Sequence, residues 1–302
     1  MRSTYMSSSF QATPRRTYSQ KIQEMPRFSA SITKFSSEPT LEPLTMLPPS
    51  TYFICSGQSK WATGHSDSIG CRPTMEDYCV SWSNFAGPKT HYFALFDGHG
   101  GKQISQYCAN RTHHLIAEYY KDGRSFTTAT AKAFSDIHNS IMDKYPSAGS
   151  TAAIAIIDGD MLHTANVGDS RIVLIERGQA RRLTFDHRAN CPTERIKVIK
   201  RGGSIKNNRV NGVLMLSRSI GDKHVADYIS TEPYTTSTFV SNNTKMIIAC
   251  DGVWDVMDDQ TAANIYLCST SPQDAARKIK DEALKRGTKD NVSVMCIDLK
   301  LN

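Results

Sequence analysis

Four short apolar runs in this chain are each bounded by an acidic residue. Phe93-Ala94-Leu95-Phe96 is followed at once by Asp97, and Ile247-Ile248-Ala249-Cys250 by Asp251; Asp290 directly precedes the run starting near Asn291, and Glu76 and Asp77 precede Tyr78–Trp82. Runs this short read as buried strands bounded by turns; core helices need roughly 10 residues and membrane spans roughly 20. A strand end is a rigid place to mount a carboxylate. Where several carboxylates converge, their like charges raise one another's pKa values unless cations compensate, and hard oxygen donors suit Mg²⁺ and Mn²⁺. Any one of these acids alone is a common turn residue, so the chemical reading rests on the set.

Around these runs the apolar spacing defines further elements. His91–Phe96, Thr151–Ile157, Met161–Asn166, Ser170–Glu176, Lys245–Cys250 and Val292–Leu299 read as strands, and Asp158-Gly159-Asp160 makes the second and third of these a hairpin. Helical spacing predicts helices over Lys102–Tyr120, Thr127–Asp143, Thr193–Arg201, Gln260–Cys268 and Pro272–Arg286, the last capped by Ser271 with Pro272 at its first position. Strands come in runs and helices in pairs, without strict β-α-β alternation. That predicts an α+β fold with antiparallel sheet.

Residues 1–50 are rich in Ser, Thr and Pro with weak apolar periodicity, and read as a disordered regulatory tail. Arg2, Arg15, Arg16 and Lys21 precede the first acid, Glu24, as in an organelle transit peptide, but Pro14 interrupts the best amphipathic helix. A folded domain is expected over residues 51–302. The net charge of +7 is spread along the chain without an aromatic-basic motif, which argues against nucleic acid as a partner. No apolar stretch is long enough to span a membrane. The eight cysteines are irregularly spaced with no C-x-x-C pair, so free thiols in a reducing compartment, cytoplasm or nucleus, are expected. No C-x5-R segment occurs, which disfavours a thiolate-based phosphatase.

The glycine-rich segment Asp97-Gly98-His99-Gly100-Gly101 brings the acid-bounded runs into focus. Together with Arg72-Pro73-Thr74-Met75-Glu76-Asp77, Gly149-Ser150-Thr151-Ala152, Asn166-Val167-Gly168-Asp169-Ser170-Arg171, Leu183-Thr184-Phe185-Asp186-His187, Ser217-Arg218-Ser219-Ile220-Gly221-Asp222, Asp251-Gly252-Val253-Trp254-Asp255 and Asp290-Asn291-Val292-Ser293, it resembles, in order, the motifs of the type 2C, metal-dependent (PPM) serine/threonine protein phosphatases. The resemblance spans about residues 60 to 298. It implies an αββα four-layer sandwich, two antiparallel sheets flanked by helix pairs, acting as a monomer on phosphorylated proteins.

The resemblance also implies roles. Asp97 bridges two Mg²⁺ or Mn²⁺ ions; Asp251 and Asp290 complete the shell of one; the Gly98 carbonyl binds the other, with Glu76 and Asp77 acting through water. Asp169 and Asp255, with Asp251, are candidates for a weaker third ion. A metal-activated water attacks phosphorus in line. Arg72 offers a donor fork to the phosphate, and His99, titrating near neutrality, serves as general acid. Asp186, His187, Arg218 and Asp222 are expected to support the fold or the site from behind, Trp254 to lie in the core, and the His113-His114 pair to lie on a polar helix face.

The chain departs from the family pattern in two places. Arg188-Ala189-Asn190 stands where K-P is frequent after D-H, and the flap expected near the site is short and basic over Ile205–Gly212, with Lys206 and Arg209. A catalytically dead scaffold would require lost ligands, whereas Asp97, Asp251 and Asp290 are all present.

Overall fold

The computed structural model describes residues 53–56 and 61–299. The expected tail, and its boundary near residue 50, lie outside the described residues. Strands β1 (Phe53–Ser56), β2 (Ala62–Ser68), β3 (Tyr78–Ser83), β4 (Thr90–Phe96) and the two-residue β5 (Gly98–His99) lead into helices α1 (Gln103–Lys121) and α2 (Phe126–Ile141). Next come β6 (Gly149–Ser150), β7 (Ala152–Asp158), β8 (Met161–Val167), β9 (Arg171–Glu176) and β10 (Gln179–Arg182). An excursion follows with α3 (Pro192–Lys200), β11 (Ile205–Lys206), β12 (Arg209–Val210) and β13 (Ile220–Gly221). The chain then forms β14 (Tyr234–Phe239), β15 (Thr244–Ala249), α4 (Asp251–Trp254), α5 (Asp259–Leu267), α6 (Pro272–Lys285) and β16 (Val292–Leu299).

Two large sheets result, ordered β1-β3-β4-β7-β8-β14 and β10-β9-β15-β16-β2, beside the small sheets β13-β6-β5 and β11-β12. All pairings within them are antiparallel except β1 with β3, which is parallel. Period-2 alternation assigns each strand face. On β4, Tyr92, Ala94 and Phe96 pack against Ile104, Cys108 and Ile116 of α1 and Phe134 of α2, while Phe93 and Leu95 face the other sheet. On β15, Met246 and Ile248 face inward between the sheets, and Ile247 and Ala249 pack beneath Ala262, Tyr266, Ala276 and Ile279 of α5 and α6. Both faces of the inner strands are therefore largely buried, and β4, β7 and β15 read as nearly continuous apolar runs. The architecture is the expected αββα sandwich.

Local signals hold as the sequence predicts. The Ser271 hydroxyl accepts from the Asp274 amide at 3.1 Å with Pro272 in the first turn. The β7–β8 turn is closed by Gly159 at φ +62°. Gly168-Asp169, by contrast, joins strands of different sheets: it carries the chain from β8 to β9 across the sandwich. His113 is a correction. It is buried on α1, stacked on Trp82 with ring centroids 4.7 Å apart, while His114 is exposed. The pair straddles the helix boundary between core and solvent.

The excursion from residue 187 to 233 has a small core of its own, built from Ala189, Val198, Val210, Leu214, Leu216, Val225 and Ile229. Its β11–β12 hairpin turns on Asn207 and Asn208, both with positive φ, which suits a tight two-residue hairpin. A buried ion pair ties it down. Arg218 donates through Nη2 and Nε to the two Glu194 oxygens at 2.8 and 2.9 Å, and through Nη1 to the Glu232 carbonyl at 2.7 Å. Burial works against the Glu194 charge, yet Arg218, Lys197 and Ser217 draw its pKa down to about 2. Truncating Arg218 leaves the buried carboxylate with the half-exposed Lys197 as its remaining counter-charge, which costs up to roughly 3–5 kcal/mol. Arg218→Ala is expected to lower the urea midpoint accordingly, and to speed amide exchange in residues 187–233 before the rest of the sandwich. Unchanged exchange there would refute the anchoring role.

Candidate metal centre

Strand register brings the acids together. Tyr78 pairs with Phe96 across β3 and β4, so Asp77 and Asp97 leave the sheet at the same end. Ala249 pairs with Val294 across β15 and β16, which sets the segments carrying Asp251 and Asp290 side by side in the second sheet. Their electrostatics show that the two pairs meet. Asp97 is held well above the ordinary aspartate pKa by burial, then by repulsion from Asp77, Asp251, Asp169 and Asp290. Asp251 is raised likewise, by burial and then by Asp169, Asp290 and Asp255. Asp77 is 1% exposed, neither of its oxygens makes a full hydrogen bond, and burial lifts its pKa to about 6.

This arrangement fits divalent cations. Buried carboxylates that repel one another, with orphaned oxygens, are a poor resting state unless positive charge joins them. One ligand atom each from Asp77, Asp97 and Cys250 lies within 4.8 Å of the others. The Cys250 thiol is otherwise engaged: it accepts from the Ser293 amide at 3.2 Å and donates to the Asn291 carbonyl at 3.4 Å, and burial keeps it protonated. A neutral thiol is a weak ligand, so the oxygens carry the site.

The surrounding motifs position these acids. The Thr151 hydroxyl accepts from the Asp97 amide at 3.2 Å, the Thr151 amide donates to the Asp97 carbonyl at 2.8 Å, and the hydroxyl also meets that of Ser170 at 2.7 Å. Asn291 accepts from the Glu76 amide at 2.9 Å and donates to the carbonyls of Ile69 and Thr74, clamping the Arg72–Glu76 loop to β16. Glu76 is half-buried. Its carboxylate accepts from the Gly101 amide at 3.1 Å and the Thr74 hydroxyl at 2.8 Å, and its carbonyl accepts from the Gly98 amide at 3.2 Å. Gly98 lies against Glu76 and Ser105 so closely that an added Cβ would collide with both.

Three cationic groups border the acids. Arg72, with 55% of its side chain exposed, donates to Asp290 at 2.5 Å. His99 Nε2 meets both Asp222 oxygens at 2.9 and 2.8 Å, and the Ser219 hydroxyl donates to Asp222 at 2.5 Å. Burial alone would lower the His99 pKa, but the Asp222 carboxylate outweighs it and raises the value. An added Cβ at Gly149 would strike this pair, so the glycine of the G-S-T-A segment makes room for it. The third group, Arg188, escaped the sequence reading as a site residue: it pairs with Asp169 and with Asp255, whose side chain is half exposed. The departure at Arg188-Ala189 was its only sequence signal.

An αββα sandwich with acids gathered at the strand ends, beside an arginine and a histidine, is the arrangement that the resemblance to the metal-dependent phosphatases implies. The protein phosphatase 2C family model matches residues 61–292, and the chain belongs to that family. It is 37% identical over 252 residues to "Protein phosphatase 2C homolog 1" of Saccharomyces cerevisiae, covering 76% of this chain and 89% of the relative. It is also 37% identical over 239 residues to "Probable protein phosphatase 2C 17" of Arabidopsis thaliana, covering 74% and 83%. A crystal structure of a phosphatase from Toxoplasma gondii superposes with a TM-score of 0.73 at 25% identity, covering 80% of this chain and 94% of that one.

The raised carboxylate pKa values carry a sign that can be measured. A group whose folded pKa lies above its unfolded value favours the fold at low pH, and that contribution is lost as pH rises through the folded pKa. For Asp77 the window runs from about 4 to about 6. In excess chelator, the wild type should lose on the order of 3 kcal/mol relative to Asp77→Asn between pH 4 and 7. Differencing against the variant cancels the histidines. A difference that stays constant with pH would show that Asp77 is not a protonated, unpaired acid in the metal-free protein.

Proposed function

We propose that the protein hydrolyses phosphoserine and phosphothreonine in proteins at a centre of two divalent ions, Mg²⁺ or Mn²⁺. Asp97, Asp251, Asp290 and the Gly98 carbonyl would hold the ions, with Glu76 and Asp77 behind them through water. The observation that carries this reading is the mutual repulsion of Asp97 and Asp251 in a buried cleft, in a chain of this family. Bound divalent ions supply an activated water and neutralise charge on the transferring phosphoryl group.

The chain's own residues do the remainder. Arg72 is exposed and held by a single partner, so its fork is free to pass from Asp290 to phosphate oxygens, which it matches in geometry. His99 is held by Asp222 in one orientation, and the Asp222 carboxylate, by raising its pKa, favours the protonated form that can give a proton to the departing seryl or threonyl oxygen. The buried thiols Cys79, Cys108, Cys250 and Cys296, none of them in a disulfide, support action in a reducing compartment, cytoplasm or nucleus.

A phosphothreonine peptide should be turned over with added Mn²⁺ or Mg²⁺ and spared in excess chelator. Asp251→Asn should lower kcat by orders of magnitude while the protein remains folded by circular dichroism. Turnover that persists in chelator, or survives the substitution, would refute the metal reading. His99→Ala should slow alkyl phosphates by about 10²–10⁴ and aryl phosphates far less, because a good leaving group needs no proton. Equal losses for both would remove His99 from the acid role.

A further inference from the structure

The third pair of acids named by the sequence, Asp169 and Asp255, is already occupied by the chain itself. Arg188 Nε donates to Asp169 Oδ2 at 2.8 Å, and Nη2 donates to Asp255 Oδ1 at 2.5 Å and lies 4.0 Å from Asp251 Oδ2. One guanidinium thus faces three carboxylates. Asp169 is 4% exposed, and its buried charge is opposed by Arg188 before any other cation. A guanidinium does not deprotonate in proteins, is weakly hydrated, and holds a fixed fork of donors. Those properties make it a permanent positive charge where a hydrated divalent ion would otherwise have to bind.

The neighbouring residue shows that this is built into the backbone. Ala189 is fully buried, and its amide donates to the Met215 carbonyl at 2.7 Å, beside a bridge between Arg188 and Leu216. The proline that follows the lysine in the common family pattern has no amide hydrogen and could not make this bond. Arg188 and Ala189 therefore act together: Ala189 fastens the base of the excursion to its own segment around Met215, and Arg188 fastens it to the acids of the sandwich.

We propose that Arg188 is this chain's built-in substitute for a third divalent ion, so that the Asp169–Asp255 pair binds no metal while the guanidinium is in place. This rests on the two-ion reading of Asp97 and Asp251. Mn²⁺ binding to the full chain, followed by electron paramagnetic resonance of the free ion at neutral pH, tests it independently of activity. The wild type is expected to saturate at two ions and to gain no third up to about 5 mM, beyond the range where weak carboxylate sites fill. Arg188→Gln should gain a third ion at least tenfold more tightly than any binding left in the wild type. Adding Asp169→Asn should abolish it. A third ion bound by the wild type and lost in Asp169→Asn, or no third ion in Arg188→Gln, overturns the substitution. Should Arg188→Gln fail to fold, the comparison of wild type with Asp169→Asn decides alone: equal stoichiometry supports the proposal, and a lost ion overturns it. A wild type that binds no Mn²⁺ at all would instead overturn the metal reading beneath it.

Discussion

The constraint on which this structure depends is like charge held in a low dielectric. Asp77, Asp97 and Asp251 are carried on strand ends whose side chains pack on both faces, so the acids cannot relax away from one another without unravelling a core. Water would separate such charges cheaply; the sandwich does not. Their raised pKa values are the record of that conflict. Stability has been given up locally in exchange for a cleft that attracts cations, a common trade at functional sites.

The same two-sided burial decides what the sequence made legible. Every inner strand of both sheets, β3, β4, β7, β8, β9, β15 and β16, is legible in the sequence, most as apolar runs and the more polar β8 from the turns that bound it. The edge strands β1, β2, β10 and β14 were not read as strands. Ala62–Ser68, Gln179–Arg182 and Tyr234–Phe239 are largely polar because an edge pairs on one side and meets water along much of its length. The parallel pairing of β1 with β3 likewise leaves no local mark, since register between distant segments is set by the finished sheet. The five longer helices were legible to within two residues, with the Ser271 cap, whereas the one-turn α4 and the Ser125 and Asp258 caps were not.

For the site, the first rank of acids was legible because strand-end placement and motif agreed. What escaped was partnership. Nothing in the local sequence says that Asn291 ties the Arg72–Glu76 loop to β16, that Asp222 faces His99 across 123 residues, or that Thr151 braces the Asp97 backbone. Each of these residues lies in a recognised motif, so the sequence marked it as needed without saying for what. His113 shows the opposite error: two adjacent histidines suggested one polar face, whereas consecutive helical positions point about 100° apart.

Two arginines border the same acids, and their settings explain why they play different parts. Arg72 reaches Asp290 from an exposed loop, through one short contact, with 55% of its side chain in solvent. Moving it loses one ion pair to an acid that is itself partly exposed, and exposed pairs contribute little. Arg188 is 26% exposed, uses two edges of its guanidinium, and starts from a backbone held by Met215 and Leu216. Moving it would strip a nearly buried Asp169 of its counter-charge and loosen the base of the excursion together. The first is the cation that the proposed mechanism lends to a substrate, and the second is part of the frame. The chemistry of one residue type is thus divided by burial and backbone tethering, and the cleft keeps one positive charge mobile while fixing the other.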